Sequence, residues 1–161
     1  MQIRTASMND LDAIAMVEAE CFPSAEAATK EEFKERLRYY SDHFLLMFAK
    51  ERLVSFVDGF VTDEKDLTDE MYSCAELHNE QGEWQMIFGV NTVPSYRNKG
   101  LAGNLITRFI LDAKEQGRKG VVLTCKDGLV DYYSKFGFKN EGVSDKSNHG
   151  GVKWNQMRLT F

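Results

Sequence analysis

Apolar residues recur at helical spacing in three places. Leu11, Ile14 and Val17 share one side of a segment that Ser7 and Asp10 open as a capping pair and that runs to about Cys21. Phe33 and Leu37 stand at i, i+4 in a second segment, about Thr29 to Tyr40, which Thr29 opens with Glu32 three residues on. Leu105, Ile106, Phe109, Ile110 and Ala113 share a face of Leu101–Gln116, and Gly117 stands at the C′ position. Between these helices the pattern shortens. His43–Ala49 and Leu53–Val61 are apolar, β-branched or aromatic runs separated by Lys50-Glu51-Arg52, a hairpin signature. Trp84–Val93 is the strongest strand in the chain, and Pro94 ends it. Short strands are predicted at Gln2–Ala6, Gly120–Thr124, Phe138–Val143 and Val152–Phe161, with a short helix at Leu129–Lys135. The order β-α-α-β-β-β-α-β-α-β-β predicts an α/β (α+β) fold, a mixed sheet covered by helices.

Composition narrows the class. A chain of 161 residues suits one domain, 1–161, and carries no repeat, low-complexity tract or Pro-rich linker. With 43% apolar and 28% charged residues it is not a disordered sequence, and a net charge of −5 argues against a nucleic-acid partner. No apolar run reaches the ~18–20 residues that span a bilayer, so no membrane partner is expected. The first twenty residues hold Asp10, Asp12, Glu18 and Glu20 and no basic n-region, which argues against a signal peptide. Cys21, Cys74 and Cys125 are scattered, with neither metal spacing nor a disulfide framework. The expectation is a reduced, cytoplasmic protein without a metal, a monomer or a homodimer. Charge is placed unevenly: residues 63–83 carry eight acids against Lys65 alone, and residues 97–119 sum to +4. One end suits a cation and the other an anion, or both are solvated faces.

The most informative stretch runs Val90-Asn91-Thr92-Val93-Pro94-Ser95-Tyr96-Arg97-Asn98-Lys99-Gly100-Leu101-Ala102-Gly103. A strand enters a tight turn and then a helix, whose unpaired first N–H groups and positive dipole end suit a phosphate. Gly100 admits close approach, Ala102 and Gly103 keep the first turn small, and Arg97 and Lys99 add charge. The spacing is neither a Walker A loop nor a dinucleotide fingerprint.

With Tyr132-Tyr133-Ser134-Lys135-Phe136-Gly137-Phe138 following one helix and one strand later, the chain resembles the GCN5-related N-acetyltransferase (GNAT) superfamily over nearly its whole length. Arg97-x-x-Gly100-x-Ala102 matches its pyrophosphate turn, and Tyr133-x-x-x-Gly137-Phe138 matches its second hallmark. Within the superfamily it looks most like the arylalkylamine N-acetyltransferase-like branch, through Glu20-Cys21-Phe22-Pro23-Ser24, Gly128-Leu129-Val130-Asp131-Tyr132-Tyr133 and the acidic segment. The resemblance implies a mostly antiparallel sheet with a splayed central strand pair. It implies acetyl transfer from acetyl-CoA, as co-substrate, to a primary amine by direct attack in a ternary complex. Val90, Asn91 and Thr92 would pair with the pantetheine arm like an added strand, with the Val90 N–H on the thioester oxygen. Arg97, Asn98, Lys99, Gly100, Leu101, Ala102 and Gly103 would hold the pyrophosphate. Tyr133 would protonate the departing thiolate. Phe22, Pro23, Trp84, Met86 and Phe88 would line the acceptor site.

The resemblance breaks at the base. Arylalkylamine acetyltransferases carry two histidines where this chain has Met86 and Phe88, and neither can accept a proton. A distant acid acting through water, with Glu83 and His78 as candidates, or an amine that arrives neutral would replace them. His43 and His149 read as structural or solvated, and Cys125 offers an acetyl-cysteine alternative. A small apolar, aromatic or cationic amine is the leading acceptor. A protein N-terminus or lysine is the alternative within the fold, and a non-catalytic acyl-CoA sensor the alternative outside enzymology.

Overall fold

The computed structural model describes residues 1–161. The elements keep the predicted order, with a short helix added in the acidic segment and two predicted strands each divided: β1 (Gln2–Thr5), α1 (Leu11–Cys21), α2 (Lys30–Tyr40), β2 (Phe44–Ala49), β3 (Arg52–Asp58), β4 (Val61–Thr62), α3 (Asp69–Ser73), β5 (Trp84–Ile87), β6 (Gly89–Thr92), α4 (Leu101–Glu115), β7 (Gly120–Cys125), α5 (Val130–Ser134), β8 (Lys139–Val143) and β9 (Asn155–Thr160). The start of α2 is a reciprocal capping box. Glu32 N–H donates to Thr29 Oγ1 at 3.1 Å, and Thr29 N–H donates to the Glu32 carboxylate at 2.9 Å. Asp10 accepts from Ser7 N–H at 2.9 Å and from Arg4 at 2.8 Å, which closes the single 3₁₀ turn ahead of α1.

Two runs that read as continuous strands each break in two. Leu53–Val61 divides at Gly59-Phe60 into β3 and β4, and Trp84–Val93 divides at Phe88 into β5 and β6. The breaks sit side by side, because Met86 N–H bonds the Phe60 carbonyl and Phe88 N–H bonds the Asp58 carbonyl, both at 2.8 Å. Gly59 is required there: a Cβ would lie 1.8 Å from the Met86 carbonyl oxygen. Hydropathy is blind to such a break, since the residues on either side stay buried or half-buried. The result is two sheets. One has the order β1-β2-β3-β6 and is antiparallel throughout; the other has the order β4-β5-β7-β9-β8, with β5 and β7 parallel.

Every β3 residue from Leu53 to Asp58 is buried, which requires cover on both faces of the strand. α1 and α4 supply it, α1 resting on β3 and β6 and α4 on β3, β6 and β7. Phe33, Phe44 and Phe56 meet with ring centroids 6.0–6.4 Å apart in the interior. No helix is long and apolar enough to cross a membrane.

Candidate active site

β6 hydrogen-bonds β3 on one side, and on its other side it has no strand, because its predecessor β5 has gone to the second sheet. Val93 N–H bonds the Val54 carbonyl at 2.9 Å. The two-residue alternation of an antiparallel ladder then turns Asn91 and Gly89 toward β3, and Val90 and Thr92 toward the opening. The Thr92 carbonyl agrees with that direction: it accepts from Arg97 Nε at 2.9 Å and from the Cys21 thiol at 3.4 Å, both outside the ladder. Val90 N–H is thus presented to the gap between the sheets.

The turn after β6 is shaped for an anion. Asn98 and Gly100 take left-handed conformations, φ 62° and 77°, and nothing lies within 4 Å of a Cβ built on Gly100. The first cross-turn bond of α4 runs from Asn104 N–H to the Gly100 carbonyl at 3.1 Å, and the amides of Leu101, Ala102 and Gly103 ahead of it are those a helix start leaves free. Lys99 Nζ stands 5.0 Å over the Tyr96 ring. Gly103 also packs, 3.5 Å from Phe136 at its Cβ position. An open left-handed glycine, free helix amides and two cations fit a pyrophosphate, and the free edge of β6 leads from there into the molecule.

That edge ends at a cavity of about 250 Å³. Val90 and Tyr133 both line it, together with Phe22, Phe88, Tyr72, Leu123, Cys125 and Trp154. Of the five residues expected around an acceptor, Phe22 and Phe88 are in this wall. Pro23 is exposed in the neighbouring loop, Met86 is fully buried in the core, and Trp84 turns away to receive Arg158 at 4.6 Å over its ring. The break at Phe88 explains the split among Trp84, Met86 and Phe88, which a continuous strand would have kept on one face. Burial pushes the Tyr133 phenol well above its ordinary range, so it stays protonated. Cys125 is held as a thiol: burial pushes it up to about 11, and its Sγ contacts Met157 Sδ at 3.5 Å.

The acidic segment does not furnish the cavity, to which it contributes Tyr72 alone. Three of its eight acids are paired with cations away from the cavity: Asp66 with Lys146 at 2.8 Å and Arg158 at 3.1 Å, Glu80 with Arg118 at 2.9 Å, and Glu83 with Lys119 at 3.0 Å. Glu83 and His78, the candidate bases, do not line the cavity that Val90 enters. His78 Nδ1 accepts from Val61 N–H at 3.0 Å, so its proton sits on Nε2 and goes to Glu80 at 3.0 Å. His43 Nδ1 donates to Gln85, whose own amide is fixed by bonds to three carbonyls. The His43–His78–Glu80 group thus pins the acidic segment to β5 through hydrogen bonds. His78 offers no lone pair on the nitrogen that a cation would need.

Among the cavity residues that the sequence did not assign to a site are His149 and Glu18. His149 stacks on Trp154 at 4.1 Å and bonds Asp69 through Nδ1 at 3.1 Å. Glu18 Oε2 accepts from Ala28 N–H at 2.9 Å, while Oε1 is buried and makes no hydrogen bond within 3.5 Å. Burial raises its carboxyl to about 7, with the Asp58 charge adding to the rise and Ala28, Arg36 and Asn91 opposing it. An unfolded glutamate releases its proton near 4.3. The folded state therefore binds more protons between those values, and stability falls as pH rises through that window. Glu18→Gln, which keeps an acceptor for Ala28, is expected to raise Tm at pH 8 and to have far less effect at pH 4. Equal shifts at both pH values would show that the carboxyl is not perturbed.

A family model described as an acetyltransferase (GNAT) domain matches residues 10–161. Serotonin N-acetyltransferase of Mesocricetus auratus is 27% identical over 145 residues, covering 88% of this chain and 69% of that protein. Among solved structures, the loading GNATL domain of CurA from Lyngbya majuscula superposes with a TM-score of 0.85 at 16% identity, covering 99% and 96% of the two chains. The GphF GNAT-like decarboxylase in complex with isobutyryl-CoA gives 0.84 at 17% identity, covering 99% of each. At these identities the structural likenesses establish the fold.

Proposed function

The chain belongs to the acetyltransferase (GNAT) domain family and is an acetyl-CoA-dependent N-acetyltransferase, and on that premise we propose that its acceptor is a small primary amine with an apolar or aromatic body. The observation that carries this reading is the cavity. It is small, walled by Phe22, Phe88, Tyr72, Leu123 and Trp154, and bordered by Glu18, Glu26 and Glu32, of which Glu26 is paired with Lys126 at 2.9 Å. Its one guanidinium, Arg36, is spent on Asp58 at 3.0 Å. Aromatic walls favour an apolar body, and the carboxylates favour a cation over an anion.

Acetyl-CoA, when bound, supplies an activated thioester to be attacked by the amine. The residues of this chain prepare that attack. The outward edge of β6 pairs with the pantetheine arm, and the α4 start with Arg97 and Lys99 holds the pyrophosphate. Val90 N–H receives the thioester oxygen as charge grows on it, a contact worth roughly 3–4 kcal/mol in comparable sites. Tyr133 gives its proton to the departing thiolate. Direct attack is favoured over an acetyl-cysteine, because a thiol pushed up to about 11 is a poor nucleophile near neutrality.

Two measurements test the reading. Tyr133→Phe is expected to lower kcat by roughly 10- to 1,000-fold with CoA affinity little changed; undiminished turnover would assign that proton to water. An acceptor panel followed by thiol release is expected to rank phenethylamine-like amines and diamines above glutamate and aspartate in kcat/KM. The reverse order overturns the acceptor class. Preferential turnover of a peptide N-terminus or lysine would place the enzyme with protein acetyltransferases, and CoA binding without thiol release would make it a sensor.

A further inference from the structure

The usual base positions are Met86 and Phe88, yet a proton must leave the ammonium before nitrogen can attack. Three buried side chains from three elements turn unpaired polar atoms on one spot beside Gly89. A Cβ placed on that glycine would lie 3.3 Å from Asn91 Nδ2, 3.4 Å from Asp58 Oδ1 and 3.7 Å from Glu18 Oε1. Asn91 and Asp58 are fully buried and Glu18 is 6% exposed. No hydrogen bond within 3.5 Å is made by either atom of the Asn91 amide, by Asp58 Oδ1 or by Glu18 Oε1, although the Asn91 amide stands close enough to Glu18 to favour its charged form. Buried polar groups are rarely left so, and three side chains meeting in this way mark a place suited to a polar guest. Gly89 is the residue before Val90, and both line the cavity with Glu18.

We propose that Glu18 is the proton acceptor for the incoming ammonium, with Asn91 and Asp58 completing the polar hollow at Gly89 that seats the amine nitrogen or one water bridging to it. The inference rests on the amine-acceptor reading above. In the step, one N–H bond of the ammonium breaks and its electron pair stays on nitrogen. The proton forms the Glu18 Oε1–H bond and later leaves to solvent through the cavity mouth. The groups facing Glu18 suit the task. Arg36 on α2 is paired with Asp58 on β3, and Glu18 has no ion pair of its own. Cys21 lies on the same helix, and Glu32, Tyr133 and His149 face the cavity from α2, α5 and the loop before β9. A side chain at 89 would crowd these three groups, and hydropathy could not show the cluster, because Glu18 sits one position from the buried Val17 on an otherwise ordinary amphipathic helix.

The test compares wild type, Glu18→Gln and His149→Asn. It uses one strongly basic amine and 2,2,2-trifluoroethylamine, which is already neutral at pH 7. For the basic amine, wild type is expected to show an acid limb in kcat/KM near neutrality. Glu18→Gln is expected to lose that limb and at least ~100-fold of the rate, with the Kd for acetyl-CoA unchanged within twofold. The loss with trifluoroethylamine is expected to be under tenfold, and His149→Asn is expected to keep the limb. A Glu18→Gln enzyme that retains rate and limb overturns the proposal. So does an equal loss with both amines, which is the mark of a positioning role, and so does a limb that disappears with His149→Asn instead. A wild-type enzyme that releases CoA with no amine removes the acceptor reading itself, and the proposal with it. Should Glu18→Gln fail to fold, isotope-edited infrared spectra of wild type decide: a buried glutamic acid band that titrates near neutrality supports the proposal, and its absence overturns it.

Discussion

A Gly100→Glu protein is expected to fold and to lose acetyl-CoA binding by a thousandfold or more. Gly100 sits at φ 77°, which costs a non-glycine residue about 1 kcal/mol, and open space surrounds its Cβ position. A carboxylate at the start of α4 is favoured by the helix dipole, which offsets much of that strain. The same carboxylate occupies the place of the pyrophosphate and repels it. A micromolar complex, roughly −8 kcal/mol, is expected to weaken beyond millimolar, about −4 kcal/mol. Titration calorimetry reads this directly. Gly100→Ala shares the strain but not the charge, so it is expected to bind far better than Gly100→Glu. Unchanged affinity in a folded Gly100→Glu protein would remove this turn from the binding site.

The second large effect is on stability. Arg36→Met is expected to cost about 3–5 kcal/mol, because it strands Asp58 in the interior. The pair is 3.0 Å apart with both side chains almost wholly buried, and Arg36 also donates to the Tyr72 carbonyl at 2.9 Å. Its guanidinium lies 5.0 Å and 5.2 Å over the rings of Phe33 and Phe88. Burial pushes the Asp58 carboxyl up and Arg36 holds it down. Adding Asp58→Leu to Arg36→Met is expected to restore much of the loss, since two apolar groups leave no charge unpaired. Urea unfolding of the single and double variants gives the coupling; a single-variant cost under 1 kcal/mol would mean that water reaches the pair.

Much of this architecture was legible because it rests on local signals. The Thr29–Glu32 box, the amphipathic face of Leu101–Gln116 and the Gly100 turn are each written within one helical turn or one period. Tyr133 and the Arg97–Gly103 segment were found through a resemblance that spans the chain, and their roles await the tests above. What escaped was set by long-range geometry. The breaks at Gly59-Phe60 and Phe88 depend on a backbone approach between strands far apart in sequence, so Trp84 and Met86 were assigned to a wall they do not form. The charge of residues 63–83 was visible, but not its pairing with Arg118, Lys119, Lys146 and Arg158, which come from later elements. Glu18 was counted among the acids of the first twenty residues; only its burial beside Gly89 distinguishes it.

The parting of β6 from β7 has a kinetic consequence. A pantetheine arm lying along β6 fills the gap as a removable strand and joins the two sheets while it stays. Until it is there, the acceptor cavity lacks one wall and the amine has little to rest against. Substrates should then add in a fixed order, acetyl-CoA before amine, and free CoA should depart last. Dead-end inhibition patterns would reveal that sequence: an unreactive amine analogue should be uncompetitive toward acetyl-CoA, where random addition would make it noncompetitive.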